Sequence, residues 1–302
     1  MKFIGSMCAL VTPFQASGAL DLEAFGRLVD YQLAGGTQGM IVAGSTGEAH
    51  ALEDAEYADL LRFAVERVAG RIPVIAGTGT ANTRKTVLLT QRAKALGADA
   101  ALVVTPYYVR PTQNGLLQHY QQVAEHGGLP VILYNVPGRT ACDMLPETVA
   151  QLANHPQIVA IKEANTDAWR MQQLLELQSP QFSILSGDDP TFVRAMLSGA
   201  HGVISVAANL APQYFRRLVD TCIAGKREDA SGLNDVLLSL YDVLAVEPNP
   251  IPVKWCLSVL NICSAHLRLP LTSLSVEHHT HAAEVVRNLF PAEVQPRHSS
   301  AA

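Results

Sequence analysis

Two apolar runs, Pro130-Val131-Ile132-Leu133-Tyr134 and Ile158-Val159-Ala160-Ile161-Lys162, enclose a stretch with helical spacing at residues 146–153. Neither run alternates apolar with polar residues, so both faces of each strand are to be buried. That is the pattern of parallel strands covered by helices. Outward from this unit the same alternation continues. Further β-branched or apolar runs lie at residues 9–12, 39–42, 73–76, 101–105, 183–186 and 203–206, and helical patterns at 22–33, 51–68, 83–96, 114–126, 167–177, 190–197 and 212–224. Eight strand–helix units in about 225 residues predict a closed (β/α)₈ TIM barrel. A doubly wound sheet is the competing arrangement, but no G-x-G-x-x-G turn follows the first run, and Gly77 and Gly79 lack the acidic partner a dinucleotide fold needs.

After the eighth unit, residues 227–290 read as a C-terminal helical region, with Pro248-Asn249-Pro250-Ile251-Pro252 as a rigid connector, and residues 291–302 as a frayed tail. The 302 residues are 48% apolar and 16% charged, enough for one large core. With 22 basic and 27 acidic side chains the net charge is −5, which disfavours a nucleic-acid or anionic-lipid surface and favours a small soluble partner. Five scattered cysteines without a C-x-x-C pair suggest neither a disulfide framework nor a zinc site. No signal peptide or membrane-spanning run is evident, so a cytoplasmic protein is expected.

In a barrel, the last residue of each strand and the loop after it converge on one mouth. Lys162 ends an apolar run there. Desolvation at such a rim favours a neutral, nucleophilic amine; an ion pair with Glu163 or another carboxylate is the purely structural alternative. Of the six lysines, Lys2 is terminal, Lys85, Lys94 and Lys226 lie in polar helices, and Lys254 follows the connector. Tyr134 ends its run similarly and either shuttles a proton or packs and bonds to backbone. Gly44-Ser45-Thr46-Gly47-Glu48 suits carboxylate or phosphate recognition, or simple helix capping. Arg139 offers a bidentate site for a carboxylate, or a surface salt bridge. Asp188 and Asp189 read as caps of the helix opened by Pro190, and His278-His279-Thr280-His281 lies far from any strand end.

Taken together, Gly44-Ser45-Thr46-Gly47-Glu48, Ile72-Pro73-Val74-Ile75-Ala76-Gly77-Thr78-Gly79, Thr105-Pro106-Tyr107-Tyr108, Tyr134-Asn135-Val136-Pro137-Gly138-Arg139-Thr140, Ile161-Lys162-Glu163, Ser186-Gly187-Asp188-Asp189 and Gly202-Val203-Ile204-Ser205 resemble the pyruvate-dependent class I aldolase family, which holds the N-acetylneuraminate lyases and the 4-hydroxy-tetrahydrodipicolinate synthases. The likeness covers residues 3–275 and leans toward the synthase branch. It implies a barrel in a homotetramer of tight dimers, no metal or organic cofactor, and pyruvate with L-aspartate 4-semialdehyde as substrates. It makes Lys162 the Schiff-base lysine and Tyr134 the proton donor and acceptor. Ser45 and Tyr108 complete a hydroxyl relay, Tyr108 being lent across the dimer interface. Thr46, Ile204 and Gly187 become substrate contacts, and Arg139 the receiver of the semialdehyde carboxylate. Two positions depart from the synthase pattern. Ser45 replaces its usual threonine, as in the lyase branch. In the pocket where lysine-inhibited synthases hold their effector, Ala81 and Lys85 replace an asparagine and a glutamate; Ala49, His50 and Tyr57 also differ, while Tyr107 is kept. Weak or absent inhibition by lysine is therefore expected.

Overall fold

The structure, a computed structural model, describes residues 2–290. Eight strands, β1 (Gly5–Ala9), β2 (Gly39–Val42), β3 (Val74–Gly77), β4 (Ala100–Val104), β5 (Val131–Asn135), β6 (Ile158–Glu163), β7 (Ser183–Ser186) and β8 (Gly202–Ser205), pair in parallel in chain order. β8 returns to β1 and closes the (β/α)₈ barrel. The closure is tight: a Cβ on Gly202 would lie 2.3 Å from the carbonyl oxygen of Gly5, so only glycine fits at that seam.

Helices cover the barrel: α1 (Leu22–Ala34), α2 (Asp54–Val68), α3 (Thr83–Ala95), α4 (Gln113–His126), the short α5 (Pro137–Thr140), α6 (Pro146–Leu152), α7 (Ala168–Leu175), α8 (Phe192–Leu197) and α9 (Pro212–Ile223). Beyond them α10 (Arg227–Asp235), α11 (Leu238–Ala245), α12 (Ile251–Val259) and α13 (Val276–Leu289) form the C-terminal helical region. Several starts follow from capping side chains, as where Asn82 accepts from the Lys85 N–H at 3.0 Å. None of the helices among the described residues is long and apolar enough to cross a membrane.

Alternation along the strands divides the core in two. Met7, Ile41, Leu102, Ile132, Ala160, Leu185 and Ile204 fill the barrel, and the opposite faces pack under the helices. Because β5 and β6 keep this alternation to their ends, Tyr134 and Lys162 share the inward parity of Ile132 and Ala160.

The predicted first strand is corrected. β1 runs over Gly5–Ala9, not 9–12, because the small residues at its start pair with β8. Leu10 and Val11 are buried beyond the strand, where the Val11 N–H donates to Asn209 Oδ1. α2 begins at Asp54, with a separate turn at Ala49–Ala51, and α8 begins at Phe192 rather than at residue 190. The tail expected at residues 291–302 lies outside the described residues.

Candidate active site

At the carboxyl ends of the strands a cavity of about 330 Å³ is walled by Gly44 and Ser45 after β2, Tyr134 on β5, Arg139 and Thr140 on α5, and Pro248 and Asn249 before α12. Ala49, His50, Tyr57 and Tyr107 also border it. Lys162 lies just beneath, 4% exposed, its Nζ 4.4 Å from the centre of the Tyr134 ring; the two residues are partners in the β5–β6 register.

The alternative of a Lys162–Glu163 ion pair is not realised. Consecutive residues of a strand face opposite ways, and Glu163 points outward to Asn135 Nδ2 (3.1 and 3.0 Å), the Asn165 N–H (2.8 Å) and Arg170 Nη1 (3.5 Å). Burial pushes the Glu163 carboxyl up to about 7 in spite of these donors. Lys162 has no ion-pair partner among the described residues, and the Tyr134 hydroxyl makes no hydrogen bond there. The second buried lysine is the reverse case. Lys254, which follows the connector, has a side chain with no exposed surface and bonds Glu48 Oε1 at 2.6 Å. Of the two buried amines, one is paired with a carboxylate and the other has no carboxylate partner among the described residues.

The remaining sequence-predicted positions divide between the surroundings of this pair and places apart from it. Gly187 abuts the lysine stem: a Cβ there would be 2.8 Å from Lys162 Cε and 2.9 Å from Cγ. Ile204 is buried in the barrel, and Thr46 is 3% exposed with its Oγ1 accepting from Asn249 Nδ2 at 2.9 Å. Arg139 sits at the rim, where Nη2 donates to the Asn249 carbonyl at 3.0 Å. Tyr108 stands apart, 90% exposed and turned out of this chain's own cavity at φ +72°. Ala81 lies just before α3, next to Thr80 of the cavity wall, and Lys85 in the first turn of α3; neither lines the cavity, and Lys85 is exposed.

Three placements were not read from the sequence. Asn249 joins Thr46 to Arg139, and the only local signal was a polar residue between two prolines. Asp189 does not cap its own helix. It is half-buried, and its Oδ2 accepts from the Val206 and Ala207 N–H groups at 3.1 and 2.8 Å, fixing the chain just after Ile204; desolvation raises its carboxyl. Asp188 keeps the local role, accepting from the Thr191 N–H at 3.1 Å. In the histidine cluster, His279 stacks on Trp255 at 4.7 Å and bonds the Leu274 carbonyl at 2.9 Å.

The family model described as the Dihydrodipicolinate synthetase family matches residues 2–289. The chain belongs to that family. It is 53% identical over 298 residues to the 4-hydroxy-tetrahydrodipicolinate synthase of Stenotrophomonas maltophilia, covering 99% of this chain and 100% of the relative. The crystal structure of dihydrodipicolinate synthase from Aquifex aeolicus superposes with a TM-score of 0.92 at 42% identity, covering 95% of this chain and 98% of that one. A chloride-inhibited dihydrodipicolinate synthase from Acinetobacter baumannii, solved in complex with pyruvate, gives 0.91 at 42% identity, covering 96% and 98%. These likenesses span both barrel and C-terminal helices, so the elements that carry Lys162, Tyr134 and Asn249 all lie within the shared fold.

Proposed function

We propose that this chain is a 4-hydroxy-tetrahydrodipicolinate synthase, condensing pyruvate with L-aspartate 4-semialdehyde in the first committed step of diaminopimelate and lysine synthesis. The observation that carries the reading is the buried Lys162, without a carboxylate partner, against the Tyr134 ring at the carboxyl end of a family barrel. Lys162 Nζ attacks the pyruvate ketone carbon, and loss of water gives an iminium. The iminium draws electrons from the adjacent methyl group, whose proton leaves, and the resulting enamine carbon attacks the semialdehyde carbonyl. The amine of the new amino acid portion then displaces Lys162 by transimination, which closes the ring and frees the lysine.

Tyr134 carries protons in these steps, its hydroxyl free of other hydrogen bonds among the described residues, with Ser45 on the same cavity wall. Thr46 holds the pyruvate carboxylate, Ile204 supplies backbone to the same substrate, and Gly187 leaves room for the lysine stem. Arg139 at the rim receives the semialdehyde carboxylate. The outward Tyr108 suits a homotetramer of tight dimers in which it completes the partner's relay. No metal or organic cofactor enters the chemistry, and a cytoplasmic setting is proposed.

Ser45 favours one other reading, a paralogous pyruvate lyase or aldolase acting on a sugar acid or 4-hydroxy-2-oxo acid. Turnover of pyruvate plus aspartate semialdehyde, set beside cleavage of sialic and other hydroxy-oxo acids, separates the two. Borohydride with pyruvate is expected to modify Lys162; an unmodified lysine sinks both. Feedback by lysine is proposed weak or absent, since Lys85 brings an ammonium where a carboxylate would attract the effector's own, and Ala81 lacks an amide. Half-inhibition well below millimolar lysine would refute that.

A further inference from the structure

Two bridges join the loop after β2 to the start of α12. Thr46 Oγ1 accepts from Asn249 Nδ2 at 2.9 Å, and two residues further along Glu48 Oε1 takes Lys254 Nζ at 2.6 Å. The second bridge is fully enclosed. Neither side chain has exposed surface, Lys254 Nζ and the Arg268 guanidinium lie 4.4 and 4.3 Å from the Phe14 ring centre, and Glu48 Oε2 accepts the Arg268 N–H at 3.1 Å. Glu48 holds this place in the left-handed backbone region, φ +50°, where a non-glycine residue is strained.

A buried ion pair is a poor source of stability, because desolvating two charges offsets most of their attraction, but its directionality fixes register where apolar packing would let elements slide. Here the register concerns the substrate site. Asn249 lies five positions before Lys254 and also accepts Arg139 Nη2 at its carbonyl, so the residue held beside Thr46 is the one that anchors Arg139. We infer that the Glu48–Lys254 pair is a positioning device of the C-terminal helical region: acting through Asn249, it sets the Thr46 hydroxyl for the pyruvate carboxylate. The inference rests on the proposed synthase reading and makes the C-terminal helices part of the substrate site.

The test uses the full-length protein and reads the pyruvate concentration that half-saturates borohydride trapping on Lys162, followed by mass. The doubly neutral Glu48→Gln/Lys254→Met variant removes the pair without stranding a buried charge and is expected to need roughly tenfold more pyruvate, with the final extent of trapping unchanged. Asn249→Ala is expected to shift the same way, and adding the double change to it to shift no further. A purely structural pair would lower the unfolding midpoint and leave half-saturation where it was. Wild-type half-saturation in the double variant or in Asn249→Ala, or effects that multiply in the combination, would overturn the inference. Absence of trapping in the unmutated protein would instead sink the synthase reading.

Discussion

Gly187→Ala is the sharpest single test of how Lys162 is held. Gly187 is not in the left-handed region, so alanine takes its backbone without strain, and the consequence is steric. The added Cβ would stand 2.8 Å from Lys162 Cε, 2.9 Å from Cγ and 3.2 Å from the Ala164 Cβ. Carbon atoms rest at about 3.5–4.0 Å, so the stem must retreat by roughly 0.7–1 Å. It retreats toward the Tyr134 ring, already 4.4 Å from Nζ, and rotation about its last bonds cannot relieve both Cγ and Cε. A misplacement of that size at a reacting atom lowers the rate by about 100-fold, equivalent to about 3 kcal/mol of barrier. The overpacking should lower stability by about 1–3 kcal/mol, less if the lysine moves freely. Turnover of pyruvate with aspartate semialdehyde, the trapping rate on Lys162 and urea unfolding report the three quantities. Turnover and trapping within about threefold of the unmutated protein would show that the lysine stem is not fixed by this contact, and the reasoning would fail.

Tyr134→Phe should reduce turnover by roughly 10²-fold or more while changing the urea midpoint little, since the lost hydroxyl makes no hydrogen bond among the described residues; near-normal turnover would deny it a proton-transfer role. Lys254→Met alone leaves the Glu48 carboxylate buried without its ammonium and should lose about 3–5 kcal/mol in urea unfolding, most of it regained by adding Glu48→Gln. Equal losses in the single and double variants would contradict this. Burial lowers His119 to about 4, so the native state favours the neutral ring: its contribution is full above about pH 6.5 and is lost as pH falls toward 4, by at most about 3 kcal/mol. His119→Gln should flatten that decline, and parallel pH profiles for the two proteins would count against it. Glu163, raised to about 7 by burial, acts in the opposite sense: its contribution is present at pH values below the ordinary 4.5 and disappears as pH rises through 7.

The fold was largely legible because parallel strands buried on both faces produce uninterrupted apolar runs, and β2 and β7 begin and end where their runs do. β1 was misplaced because Gly5 and Ser6 carry no apolar signal; their strand character comes from pairing with Gly202 and Val203. In the site, Lys162 and Tyr134 could be picked out as polar ends of apolar strands. Lys254 could not, since nothing near it in the chain shows that Glu48, 206 residues earlier, will meet it. Asp189 was misjudged for the same reason: its partners Val206 and Ala207 belong to the next strand–helix unit.

By itself the sequence determined the barrel and the family, and marked Lys162 as a candidate amine at the barrel mouth, because strand periodicity and local motifs are properties of neighbouring residues. Tertiary structure alone decided which buried lysine is paired with a carboxylate. Lys162 and Glu163 are adjacent in the chain yet separated by the alternation of β6, whereas Lys254 and Glu48 are distant in the chain yet share a bond of 2.6 Å. Whether an ammonium is neutralised depends on which carboxylate the fold places within a few ångströms, and that distance exists only once the barrel has closed and α12 has docked on the loop after β2.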